Sequence, residues 1–91
     1  MKKNVKIGII GLGRVFEHYL KLFKSNKIKN YQIISICDLD KNKGKIFEKK
    51  LKVNFYSDFK NYNFYKNVDL VIILTDSGNH YATSKFFINK K

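Results

Sequence analysis

An apolar run, Asn4–Ile10, stops at Gly11-Leu12-Gly13 and gives way to a segment of a different period. From Arg14 to Ser25 the apolar residues Val15, Phe16, Tyr19, Leu20 and Phe23 recur every three or four positions, the spacing of a helical stripe that faces a sheet. A short run that is apolar at successive positions reads as a strand buried on both faces, as in a parallel sheet. Such a strand needs helices above and below it, and its parallel neighbours are reached only through crossovers. One strand–glycine–helix junction therefore points to the α/β class.

The rest of the chain repeats the alternation. After a polar loop at Ser25–Asn30, Tyr31–Cys37 reads as a second strand that ends at Asp38, and Asp40 is placed to cap a helix over Lys41–Lys50. Ile46, Phe47 and Leu51 are its expected inward contacts, and Gly44 weakens it slightly. Val53–Tyr56 is a short third strand, and Ser57-Asp58-Phe59 reads as a capped helical turn in the aromatic stretch to Tyr65. Val68–Leu74, apolar at six of seven positions, is the strongest strand signal. The polar turn Thr75–Asn79 leads to a last helix beginning near His80, with Tyr81, Ala82, Phe86 and Phe87 inward. The expected fold is a three-layer, doubly wound parallel sheet of about four strands in the order 3-2-1-4. Residues 1–91 form one nucleotide-binding unit without the C-terminal half of such a sheet.

Composition sets limits on this reading. A chain of 91 residues buries only about 60–65% of its unfolded surface. Its 44% apolar and 15% aromatic content nevertheless argues for a packed core. No stretch approaches the roughly 20 apolar residues of a membrane span, and no signal peptide is evident, so a soluble cytoplasmic protein is expected. The single cysteine, Cys37, sits at a strand end and reads as a packing residue; with His18 and His80 it makes no metal-binding set. The net charge of +12 invites a nucleic-acid reading. Distribution argues against it, because all of the 19 basic residues except Arg14 are lysines, spread along the whole chain. That field draws in anionic small molecules.

Ligands of such sheets bind beyond the carboxyl ends of the strands, where strand order reverses. Three features converge there: the glycine turn after strand one, Asp38 after strand two and the turn from Thr75 after strand four. Glycines at 11 and 13 let the backbone approach a pyrophosphate, which the following helix N-terminus attracts. Asp38 could accept hydrogen bonds from both ribose hydroxyls and would repel a 2′-phosphate, which favours NAD over NADP. NADP stays open, because Lys41 and Lys43 can offset part of that repulsion. Asp38 has an alternative role as the cap of the second helix.

Together, Ile7–Val15, the strand ending Ile36-Cys37-Asp38-Leu39-Asp40, and Val68–Thr75 leading to His80 resemble the N-terminal cofactor domain of the Gfo/Idh/MocA oxidoreductases, over nearly the whole chain. The resemblance implies cofactor binding by Gly11 and by the backbone around Leu12, Gly13, Arg14 and Val15, ribose contact from Asp38, and further cofactor contacts from Thr75, Ser77 and His80. Arg14 adds a phosphate contact or is a surface arginine; His80 faces the ligand or packs. His18 is structural or exposed.

Departures from the family pattern matter as well. Phe16 stands where the fingerprint has Gly or Ala, so the helix shifts outward or the ring swings away from the sheet. Thr75-Asp76-Ser77 replaces a Thr-Pro turn. The family's Glu-Lys-Pro segment and α+β substrate domain do not occur in these 91 residues, and Lys90 and Lys91 are no substitute for that lysine. A truncated domain is thus expected, with no catalytic residue and no turnover of its own. Sugar or cyclitol oxidation belongs to a full-length form. A non-catalytic nucleotide sensor and a basic nucleic-acid-binding protein are the alternatives, with a methyltransferase behind them. The fourth strand, left at a sheet edge, offers a route to self-association.

Overall fold

The computed structural model describes residues 5–24, 30–75 and 77–88. Four parallel strands, β1 (Val5–Ile10), β2 (Tyr31–Cys37), β3 (Asn54–Tyr56) and β4 (Leu70–Ile73), lie in the order β3-β2-β1-β4. The helices α1 (Arg14–Lys24), α2 (Lys41–Leu51), α3 (Tyr62–Tyr65) and α4 (Ser77–Ile88) alternate with them. This is the expected doubly wound α/β sheet. The loop expected from Ser25 to Asn30 lies outside the described residues up to position 29, as do Asn4, Asp76 and the side chains of Phe23 and Tyr81.

Alternation along β1 divides the core. Ile7 and Ile9 face one side, where they pack with Leu12, with Phe16 and Leu20 of α1, with Ile36 of β2 and, partly buried, with Phe47 and Leu51 of α2. Ile10 faces the other, with Cys37, Phe64 of α3 and Phe87 of α4. Gly8 shares that second face, where an added Cβ would stand 3.1 Å from the Phe64 ring and from Val68. The sheet is therefore covered on both sides, which is why the β1 run is apolar throughout.

A one-residue shift in the β1–β2 register, between Ile7↔Ile33 and Gly8↔Ser35, leaves Ile34 as an extra residue. Side chains alternate in a strand, so residues three apart face opposite ways unless a residue is inserted. Ile33 and Ile36 both pack in the Ile7–Ile9 core, and the inserted residue is what allows it.

Several expectations need correction. Phe16 does not swing out: it is 0% exposed and meets the Phe47 ring edge-on at 4.9 Å. The space that a glycine or alanine would leave for a close helix is filled by an aromatic pair joining α1 to α2. Val15, expected inward, is 52% exposed, because the buried positions of α1 are Phe16 and Leu20, one helical turn apart. Ile46 is 62% exposed; its neighbour Phe47 and Leu51, four residues apart, carry the inner face of α2. Gly44 is more than a weak point in that helix, since an added Cβ would lie 2.1 Å from the Phe55 ring. Its missing side chain lets α2 sit against β3.

The third strand begins at Asn54, one residue later than expected. The helical turn expected at Ser57–Phe59 forms further on, with Asn61 as its cap through a bond from Asn63 N–H, and Asp58 Oδ1 accepts from Lys60 N–H instead. Phe59 is drawn into rings Phe86 and Phe87 of α4. β4 is shorter than its apolar run because Asp69 and Leu74 hold to β1 by single backbone bonds, Asp69 N–H to Lys6 O and Leu74 N–H to Ile10 O. The last helix starts at Ser77, three residues early, and buries Thr83 with Phe86 and Phe87 partly covered, while Ala82 is exposed. Positions 83, 86 and 87 share a helical face, and Ala82 falls at its exposed margin.

Among the described residues β4 pairs only with β1, so it lies at a sheet edge there, as expected. Among the described residues no helix is long and apolar enough to cross a membrane.

Candidate functional site

A cleft of about 580 Å³ opens beyond the carboxyl ends of the strands, between the glycine turn, Asp38, the residues after β3, and Thr75. Its position follows from topology. After β1 the chain leaves to one side for β2 and β3, while β4 lies on the other, so the connections diverge at the end of β1 and leave a crevice. Its size is that of a small-molecule site.

The glycine turn is held from both neighbouring strands. Gly11 N–H donates to Cys37 O at 2.8 Å, and Leu74 N–H donates to Ile10 O at 2.7 Å. Gly11 has a φ of +103°, and a Cβ there would stand 2.8 Å from the Leu74 carbonyl carbon. Both the backbone angle and the approach of β4 exclude a side chain. Leu12 points into the core. Gly13 differs from Gly11, since a Cβ there would meet nothing within 4 Å. Its carbonyl accepts the first α1 bond, from Glu17 N–H at 3.2 Å, so it stands where the helix presents its unpaired N–H groups. Arg14 and Val15 follow, both exposed.

Asp38 is oriented by the backbone around it. Its Oδ2 accepts from Leu12 N–H at 2.8 Å and its Oδ1 from Asp40 N–H at 2.8 Å, while its own N–H donates to Tyr56 O. The alternative role of capping α2 falls to Asp40, whose Oδ1 accepts from Asn42 and Lys43 N–H. Asp38 is thus left facing the cleft. Thr75 closes the opposite wall, and its Oγ1 is buried without a hydrogen-bond partner among the described residues. A buried hydroxyl in that condition is costly unless something in the cleft pairs with it.

Cys37 forms part of the cleft lining, where burial, then the negative charges of Asp38 and Asp58, push the thiol up to about 12. At neutral pH it stays protonated and packs, with no nucleophilic character. His18 lies in a separate shallow groove on the outer flank of α1, with Arg14, Val15, Tyr19 and Leu22. Among the described residues no group of His, Cys, Asp or Glu is arranged to hold a metal ion. Ser77 and His80 are in the first turn of α4, and their side chains lie outside the described residues.

Sequence reading missed Ser57, Asp58 and Thr83, which line the cleft, whereas Lys43, read as a charge beside Asp38, lines it too. Ser57 and Asp58 follow β3 as Asp38 follows β2, so the rule that ligands gather at strand ends could have found them. Thr83 could not be found that way, because it reaches the cleft from the second turn of a helix. Lys43 brings a cation to the wall that Asp38 occupies.

The open space at Gly13 and the Thr75 hydroxyl, without a partner among the described residues, suit a ligand with an anionic middle and polar groups at its ends, as a dinucleotide has. The sequence profile of one family, described as an oxidoreductase family with an NAD-binding Rossmann fold, matches residues 5–91. Among solved structures, scyllo-inositol dehydrogenase from Lactobacillus casei with bound NAD(H) and scyllo-inositol has a TM-score of 0.81 at 26% identity, over 96% of this chain and 26% of the other. Myo-inositol 2-dehydrogenase from Lactobacillus plantarum has a TM-score of 0.70 at 29% identity, over 82% of this chain and 22% of its own. The WlbA dehydrogenase from Chromobacterium violaceum, in complex with NADH and UDP-GlcNAcA, shares the fold, with a TM-score of 0.79 at 20% identity over 90% and 24%. The chain therefore spans about a quarter of the length of these structures. No curated protein is similar enough in sequence to count as a match.

Proposed function

Since the chain belongs to the Gfo/Idh/MocA oxidoreductases and carries their NAD-binding Rossmann fold, we propose that it holds NAD along the cleft between the glycine turn, Asp38 and Thr75. The observation that carries this is the meeting of three strand ends at one cleft, with space left at Gly13 and a Thr75 hydroxyl that has no partner among the described residues. When bound, the nicotinamide exchanges a hydride with a carbinol carbon of a second substrate. The chain's own part is binding and orientation.

Gly11 and the backbone from Leu12 to Val15 form the phosphate wall, with Arg14 free to add a charge-assisted contact. Asp38 accepts from the adenosine ribose hydroxyls and disfavours a 2′-phosphate. Thr75, with Ser77 and His80 at the start of α4, contacts the remaining ribose and nicotinamide portion. For the longer protein we propose a sugar or cyclitol as substrate, the class named for the inositol dehydrogenases above. None of these 91 residues is assigned a catalytic role, and a cytoplasmic setting goes with this reading. Where nothing else covers the β4 edge, it provides a contact between copies.

Fluorescence titration of the purified chain with NADH and NADPH tests the proposal. We expect saturable NADH binding, weaker NADPH binding, and an affinity that falls gradually as salt rises. Equal failure of both dinucleotides, together with tight and steeply salt-dependent binding of an oligonucleotide, would contradict it.

A further inference from the structure

One amide of the glycine turn is already engaged within the protein. Leu12 N–H donates to Asp38 Oδ2 at 2.8 Å, across 26 residues of sequence. Both partners are fixed from behind. The Leu12 side chain is buried in the core below α1, and Asp38 is held by Asp40 N–H at 2.8 Å and through its own N–H to Tyr56 O. A carboxylate is the strongest acceptor available to a backbone amide, and an anionic pyrophosphate could take Leu12 N–H only by displacing a like charge. Next to Leu12, the space at Gly13 is open at the start of α1.

We propose that Asp38 is a positioning residue for the glycine turn as well as a ribose ligand. Its carboxylate holds Leu12 N–H and so fixes the turn between Gly11 and Gly13. Within the phosphate wall proposed above, the pyrophosphate is received from Gly13 onward, by the amides of the first α1 turn, while Leu12 supports that wall as an anchor whose own amide stays on Asp38. Each carboxylate oxygen has two lone-pair sites, so Asp38 can keep Leu12 and Asp40 while accepting from ribose hydroxyls. The role in phosphate placement rests on the cofactor site proposed above; the hold on Leu12 exists without any ligand.

Two variants separate these roles, because Asp38→Asn keeps an acceptor at this position and Asp38→Ala removes it. Amide hydrogen exchange by NMR reads the anchor directly. In Asp38→Ala, Leu12 should exchange roughly ten- to a hundred-fold faster than in the wild type, the factor expected for losing a charged hydrogen bond, while the Ile9 and Ile36 amides report an intact core. In Asp38→Asn the change should stay within a few-fold. Inorganic pyrophosphate, which lacks ribose, then tests placement. It should shift the Gly13, Arg14 and Val15 amides, leave Leu12 nearly unmoved, and bind Asp38→Ala more weakly than Asp38→Asn, although both variants have lost the same charge.

Unchanged Leu12 exchange in Asp38→Ala, or equal pyrophosphate binding by the two variants, would overturn the proposal. Should Asp38→Ala fail to fold, the wild-type chain still decides, since the bond predicts a measurable scalar coupling between the Leu12 amide nitrogen and the Asp38 carboxylate carbon. Its absence would overturn the anchor. If wild-type chain binds no NADH while Leu12 responds as expected, the cofactor reading falls and the anchor stands. If NADH binds but Leu12 exchange does not respond, the anchor alone falls.

Discussion

The two walls of the cleft are built differently. The wall formed by β1, β2 and the glycine turn rests on residues with no exposure, Ile9, Phe16 and Ile36 among them, and its loop is tied by bonds from Gly11 to Cys37 and from Leu12 to Asp38. The wall formed by β4 and α4 rests on an edge strand whose residues are half-buried, with Leu70 44% exposed, and it meets the start of the glycine turn through the bond from Leu74 to Ile10. A strand with neighbours on both sides has its position set by them, whereas an edge strand has one partner and an open row of backbone groups. The adenosine end of the proposed site is therefore pre-arranged by its own half of the sheet, and the Thr75 end depends on how well an edge is held.

Three substitutions sharpen or break that contrast. Phe16→Ala empties the fully buried position between α1 and α2 and should cost about 3–5 kcal/mol, enough to unfold a domain of this size. Chemical denaturation would show it; a loss below about 1 kcal/mol would mean that the first wall is not the rigid one. Gly11→Ala strikes the join between the walls, because its Cβ would press the Leu74 carbonyl at a positive φ. Here the expected loss is about 2–4 kcal/mol, with backbone shifts concentrated at Ile10–Leu12 and Leu74–Thr75 in NMR spectra. Leu70→Lys alters only the edge. Its effect on stability should stay within about 0.5 kcal/mol, while sedimentation should show less self-association at high concentration. A large loss of stability from Leu70→Lys would show that the edge is better supported than its exposure implies.

Sequence reading served the two walls unequally for the same reason. β1, β2 and α1 announce themselves through an apolar run, a glycine turn and a change of period, all of them local signals. The choice between Ile46 and Phe47, the close approach of Gly44 to Phe55, and the burial of Phe16 depend on what lies across the fold, which no local spacing records. β4 was visible as a run but over-extended, since Asp69 and Leu74 meet β1 through one backbone–backbone bond each and fall outside the regular ladder. At the site, Asp38 and Thr75 were legible because each follows a strand. Asp58 obeys the same rule and was passed over as part of a capped turn. The bond from Leu12 to Asp38 was invisible, because it joins residues 26 positions apart through a backbone amide.

An NMR titration of the chain with NAD, following backbone amides, tests the central claim most directly. The account predicts saturable shifts at Gly11, Gly13, Arg14, Val15, Asp38 and Thr75, with the outer α1 groove at His18 and Leu22 unaffected. Shifts confined to the lysines of α2 or to the β4 edge, with the glycine turn silent, would contradict it.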